Sequence, residues 1–233
     1  MPRKPLGRLD TDKLGLDRFA ALVPGELAGV SGRVFYSGRD AFSSMSPLYL
    51  LGLNPGGDPD AYRTETIGRH PAEVASHPGN WSAYRDEAWC GGEPGTWGLQ
   101  PRVLHLLRRL SLDPGEVASS NLVFARSQQE ASLTRRQLLQ YADACWPFHQ
   151  AVIESLQVRA VVCFGQTAGS YVRRRLHADR QCGEFVETNN RGWTSRAHAG
   201  EGGVNVVTVT HPSRTDWCNP AADISDLVSN SLS

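Results

Sequence analysis

Four short apolar runs separated by helical stretches constrain this chain more than any other feature. They read LYLLG (48–52), SSNLVFARS (119–127), RAVVCFG (159–165) and NVVTVT (205–210). The first, Leu48 to Leu51, is short and nearly continuous in apolar residues, the pattern of a strand buried on both faces; the third is also apolar, and the second and fourth are strand candidates. Between the first two, Pro101 can open a helix in which Val103, Leu106, Leu107 and Leu110 recur at helical spacing until Pro114 and Gly115 stop it. Leu133 to Leu156 reads as a longer helix that Pro147 is expected to kink or divide. A further helix follows Gly165. Strands alternating with helices predict an α/β fold, a three-layer α/β/α sandwich around a central, mostly parallel four-stranded sheet. One domain over 1–233 accounts for the length, with 1–46 as a lead-in: a helix over Asp12 to Leu27, then a short strand or hairpin arm over Arg33 to Tyr36.

Composition removes several function classes. No apolar run approaches the ~20 residues that span a bilayer, and MPRKPLGRLDTDK is broken by Pro2, Pro5 and Asp10, so it predicts neither a secretory signal nor a transit peptide. The expectation is a monomeric cytoplasmic protein, nucleoid-associated if prokaryotic, with no membrane partner. Cys90, Cys145, Cys163, Cys182 and Cys218 are widely spaced, with no CxxC pair, against both a disulfide framework and a cysteine metal site. Lysine plus arginine and aspartate plus glutamate number 24 each, so no basic field draws the whole chain to nucleic acid. Any DNA contact must be local.

In open parallel sheets, ligands bind beyond the carboxyl ends of the strands. Here those ends carry Asn54, Asn121, Gln166 and His211. After the first run, Pro55 cannot continue a ladder, and Gly56 and Gly57 permit a turn with exposed amides. Taken singly, these residues have plain structural roles. Asn54 and Asn121 can tie turns to their own backbone, His211-Pro212-Ser213 can be a strand exit, and Arg173, Arg174 and Arg175 a solvated helix face. Their convergence on one sheet edge is what raises a functional reading above these roles.

Three segments carry a resemblance to the uracil-DNA glycosylase superfamily, particularly its mismatch-specific and single-strand-selective branches: GLNPG (52–56), SSNLVFAR (119–126) and HPSRTDW (211–217). VVCFGQTA (161–168) is similar to the family's third strand and turn, so the likeness covers roughly Pro47 to Trp217. The resemblance implies a monofunctional DNA glycosylase that excises uracil or a related deaminated base, without metal or cofactor. Asn54 would position the water and His211 would donate to the departing base. Asn121, with Gly56, would contact the base, and Ser213, Arg214, Trp217 and Gln166 would contact DNA, Arg214 and Trp217 as the wedge that fills the gap left by a flipped base. HPGNW (77–81) is similar to a stretch that follows the first motif in the mismatch-specific branch. Relatives place a stacking ring just before it, where this chain has Val74, Ala75 and Ser76; Tyr62, Trp81 or Trp89 would then supply the ring. That departure, with the neutral net charge, supports an alternative: a catalytically inactive nucleic-acid or nucleotide-binding module on the same fold. A small-molecule hydrolase is the third reading, weakened by the absence of a GxSxG elbow and by a Cys163 that lies inside an apolar strand.

Overall fold

The computed structural model describes residues 15–129 and 132–233. Its sheet is built from Leu48–Gly52 (β1), Ala118–Asn121 (β2), Ala160–Phe164 (β3), Arg180–Val186 (β4), Thr194–Ala199 (β5) and Asn205–Val209 (β6), in the order β2-β1-β3-β6-β5-β4. The four expected strands are the parallel half, β2-β1-β3-β6. The sheet has six strands rather than four, because β4 and β5 form a hairpin that continues it antiparallel beyond β6. Every residue of β1 and β3 is buried, so both faces of the sheet centre are covered. The register sets Gly52 beside Asn121 and Leu48 beside Ala160, which brings the carboxyl ends of the parallel strands to one edge.

The described helices are Leu16–Ala20 (α1), His70–Ser76 (α2), Ala83–Asp86 (α3), Gln100–Arg109 (α4), Arg135–Ser155 (α5), Gln166–Arg175 (α6) and Ser225–Asn230 (α7). None is long and apolar enough to cross a membrane. Thr134 starts α5 with a capping box: its hydroxyl accepts from the Gln137 amide at 3.2 Å while the Gln137 carboxamide accepts from the Thr134 amide at 3.0 Å. Pro147 does not divide α5, which continues through it as one helix. A helical proline costs ~3 kcal/mol or more. The same two turns bury Cys145, Trp146, Phe148, Val152 and Ile153, and each large apolar side chain removed from water returns ~1.5–3 kcal/mol, so packing wins.

The lead-in is part of the core. Phe19 and Phe42 (5.6 Å between ring centroids), Phe35 and Phe42 (5.0 Å), Phe35 and Phe148 (5.4 Å) and Phe124 and Phe148 (5.1 Å) form one edge-to-face cluster that ties it to α5 and to the end of the second apolar run. The expected helix over Asp12 to Leu27 is only α1 and a 3-10 turn at Gly25–Leu27; residues 12–14 lie outside the described residues. Arg33 to Tyr36 is not a regular strand; the segment runs along the second apolar run through isolated antiparallel bridges, Gly32 to Ala125 and Phe35 to Ser120. Beneath it His149 is held by Tyr49, whose hydroxyl lies 2.8 Å from Nδ1, and by the Leu122 carbonyl, 3.1 Å from Nε2. A carbonyl can only accept, so the proton sits on Nε2 and Nδ1 accepts from Tyr49. Burial holds this histidine's pKa down at about 4.

Candidate nucleic-acid-binding cleft

A cleft of about 1320 Å³ opens at the carboxyl edge of the parallel strands. Asn54, Gly56, Tyr62, Asn121, Gln166, His211, Ser213 and Arg214 all line it. Two candidates from the sequence do not. Trp81 is buried and stacked on His77 at 4.6 Å, so it offers no ring to a ligand. Trp217 is wholly buried, edge-on to Phe164 at 5.6 Å, and cannot act as a wedge; it anchors the loop that carries His211.

The Asn54 amide is fixed in orientation. Its Nδ2 donates to the Pro55 carbonyl at 2.9 Å and to the Ser127 hydroxyl at 2.8 Å, and Ser127 passes its own proton to the Gln129 carbonyl at 3.0 Å. The carbonyl can only accept and the hydroxyl's donor is spent, so both require the amide nitrogen. Oδ1 is thereby left as an acceptor. His211 is fixed by the same logic. The backbone N–H of Ser213 donates to its Nδ1 at 3.1 Å, and the Ser213 hydroxyl lies 2.8 Å from the same atom. An amide cannot accept, so the neutral ring carries its proton on Nε2. Gly165, at φ 98°, makes the turn that starts α6 beside this ring; a Cβ there would stand 3.8 Å from the His211 Cβ.

Asn121 is buried at the end of β2, near enough to the Tyr36 hydroxyl for its amide to favour the phenolate. Burial raises the Tyr36 pKa more than Arg33 and Asn121 lower it, so the phenol stays neutral. Asn121 fits only because its neighbour is glycine: a Cβ on Gly52 would lie 2.1 Å from Asn121 Oδ1.

The wall opposite His211 was not expected from the sequence. Arg33 pairs with Glu87 at 2.7 Å and Glu65 at 3.4 Å, Arg126 pairs with Glu65 at 2.7 Å, and Trp89 donates to Glu87 at 2.7 Å. Burial disfavours the Arg33 charge, but the Glu87 and Glu65 carboxylates beside it favour it, and its pKa is raised. Two cations against two carboxylates leave this wall neutral. Arg126 also donates to the Gly56 carbonyl and stacks on Tyr62 at 4.3 Å, which holds an exposed aromatic face over the cleft. Arg126 closes the motif SSNLVFAR, and a charge ending an apolar run was its available signal. Arg33 had none. Trp193 and Arg196, also in the lining, come from the hairpin arm that the sequence reading missed.

Cys163 is fully buried and desolvation pushes its thiol far above the usual range, which makes it a poor nucleophile. No protein-family model matches the chain, and no curated protein matches it.

Proposed function

We propose that the chain is a monofunctional DNA glycosylase that hydrolyses the N-glycosidic bond of uracil or a related deaminated base, on the three-layer α/β/α arrangement that its resemblance implies. The observation that carries this reading is the pair of fixed polar groups on one cleft: an Asn54 carbonyl oxygen left to hold water and a neutral His211 with its proton on Nε2. Cleavage of such a bond builds an oxocarbenium-like sugar and pushes negative charge onto the leaving base. His211 donates from Nε2 to the base oxygen where that charge collects, a preorganised donor typically worth ~2.7–4 kcal/mol of barrier. Water oriented by Asn54 adds its oxygen to the anomeric carbon, the carbon–nitrogen bond electrons leave with the base, and the water proton passes to solvent as the base is reprotonated. Asn54 is too weak a base to take that proton early, which suits a dissociative reaction. Asn121 selects the base through its amide, and Tyr62 replaces the stacking ring that relatives place before HPGNW.

Oligonucleotides bearing one uracil, hypoxanthine, xanthine or mismatched thymine test the reading. An alkali-labile site at the modified position supports it, and tight binding without any such site would favour the inactive module.

A further inference from the structure

The β4–β5 hairpin brings a charge pattern to the mouth of the cleft that the neutral wall lacks. Arg191 and Arg214 both lie over the face of Trp193, at 4.8 Å and 5.6 Å from its ring centroid, and Arg191 also donates to the Arg214 carbonyl. Both arginines are exposed, and neither forms an ion pair with a carboxylate among the described residues. Arg33 and Arg126, across the cleft, are both neutralised. Two like charges gathered on one indole repel each other and gain from an anion between them.

The turn is built to hold them. Buried Glu187 accepts from the Asn189 amide at 2.7 Å, and Asn189 Oδ1 accepts from the Arg191 N–H at 2.9 Å. Gly192, at φ 58°, turns the chain back, and the Glu187 amide closes the loop on the Trp193 carbonyl at 2.8 Å. Arg214 arrives from the other side, three residues after His211 on the loop anchored by Trp217.

We propose that Arg191, Trp193 and Arg214 form a phosphodiester grip that seats the backbone of a nucleic-acid strand on the His211 side of the cleft. The proposal rests on the nucleic-acid reading above and assigns Arg214 to the backbone rather than to a wedge. Guanidinium forks match phosphate oxygens, and the shared ring keeps both forks in place before the strand arrives. Each phosphate neutralised releases counterions, so each arginine contributes a definite salt dependence.

The test is equilibrium binding of a fluorescent single-stranded thymine oligonucleotide, which needs no excision, across a salt series. Arg191→Ala and Arg214→Ala should each reduce the slope of log affinity against log salt by about 0.7. Arg191→Lys keeps the charge and should keep the slope, and Arg174→Ala, at the far end of α6 from the cleft, should match wild type. Deoxyuridine monophosphate should compete only weakly, because it offers no backbone to grip. Wild-type binding with unchanged slopes in both alanine variants overturns the grip and leaves the glycosylase reading intact. Failure of wild type to bind at low salt overturns both, and monophosphate competing as well as the oligonucleotide overturns the backbone assignment. Melting curves on the same samples confirm that each variant is folded.

Discussion

Gly52→Ala isolates the contact that positions Asn121. The new methyl carbon would lie 2.1 Å from Asn121 Oδ1 and 3.2 Å from its Cγ, with the nearest backbone atom, the Ser120 carbonyl oxygen, at 3.9 Å. Only the end of one side chain must move, by roughly 1.5 Å to reach ordinary contact. That movement displaces the Asn121 amide from its place beside the Tyr36 hydroxyl, inside a buried region. Leaving a buried polar group unpaired costs ~1–3 kcal/mol, which lowers the Tm of a chain this size by roughly 3–10 °C. In an Asn121→Ala background the obstacle is gone, and Gly52→Ala should be neutral or stabilising by up to ~1 kcal/mol, because alanine restricts the unfolded chain. Urea unfolding of the two single variants and the double gives the coupling energy directly, about 1–3 kcal/mol if the clash is with the amide. Equal destabilisation in both backgrounds would refute the reasoning. On the proposed function, Gly52→Ala should also blunt the choice between uracil and cytosine.

His149 and His70 are buried and neutral, with burial holding their pKa values down at about 4 and about 3. Below the usual 6.5 the unfolded chain takes up protons that the native state refuses, so stability is full above that pH and falls on acidification. Urea midpoints should correspond to a loss of ~2.5 kcal/mol for the pair between pH 7.5 and 5.5, and a flat profile would contradict the burial assigned to them. Trp217→Ala should cost ~3–5 kcal/mol, whereas Trp193→Ala, at the half-buried rim, should change unfolding free energy by less than ~1 kcal/mol; a fully stable Trp217→Ala would return that residue to the surface. Arg126→Met should cost roughly 2–3 kcal/mol, less than a fully buried pair because Glu65 keeps part of its carboxylate in solvent. Adding Glu65→Leu should recover part of that loss, and simple additivity of the two changes would contradict the pairing.

β1 and β3 were legible because strands covered on both faces are commonly apolar along their whole length, as LYLLG and AVVCF are; β2 is the buried but polar ASSN, with the apolar LVFA following it. The hairpin was not legible. β4 is an edge strand with exposed Arg180, Gln181 and Glu184 and a register shift between Gln181 and Gly183, so it carries no clean alternation, and β5 buries mainly Ser195, Ala197 and His198. Pro147 leaves α5 undivided because the packing of Phe148 and Val152 outweighs its local propensity. At the site, Asn54, Asn121 and His211 could be found because strand ends share an edge, but HPSRTDW does not say which aromatic faces inward. Phe164 decides that by receiving Trp217. The Arg33–Glu87 pair joins residues 54 apart in sequence, and no local pattern announces it.

The most direct test is single-turnover release of uracil from an oligonucleotide containing one such base, measured with wild type, Asn54→Ala and His211→Ala. Wild type should release the base and leave an abasic site, and loss of the His211 donor should slow release by about 10²–10³-fold. Asn54→Ala should slow it strongly as well, with both variants folded by their melting curves. Release at the wild-type rate by both variants would contradict the account.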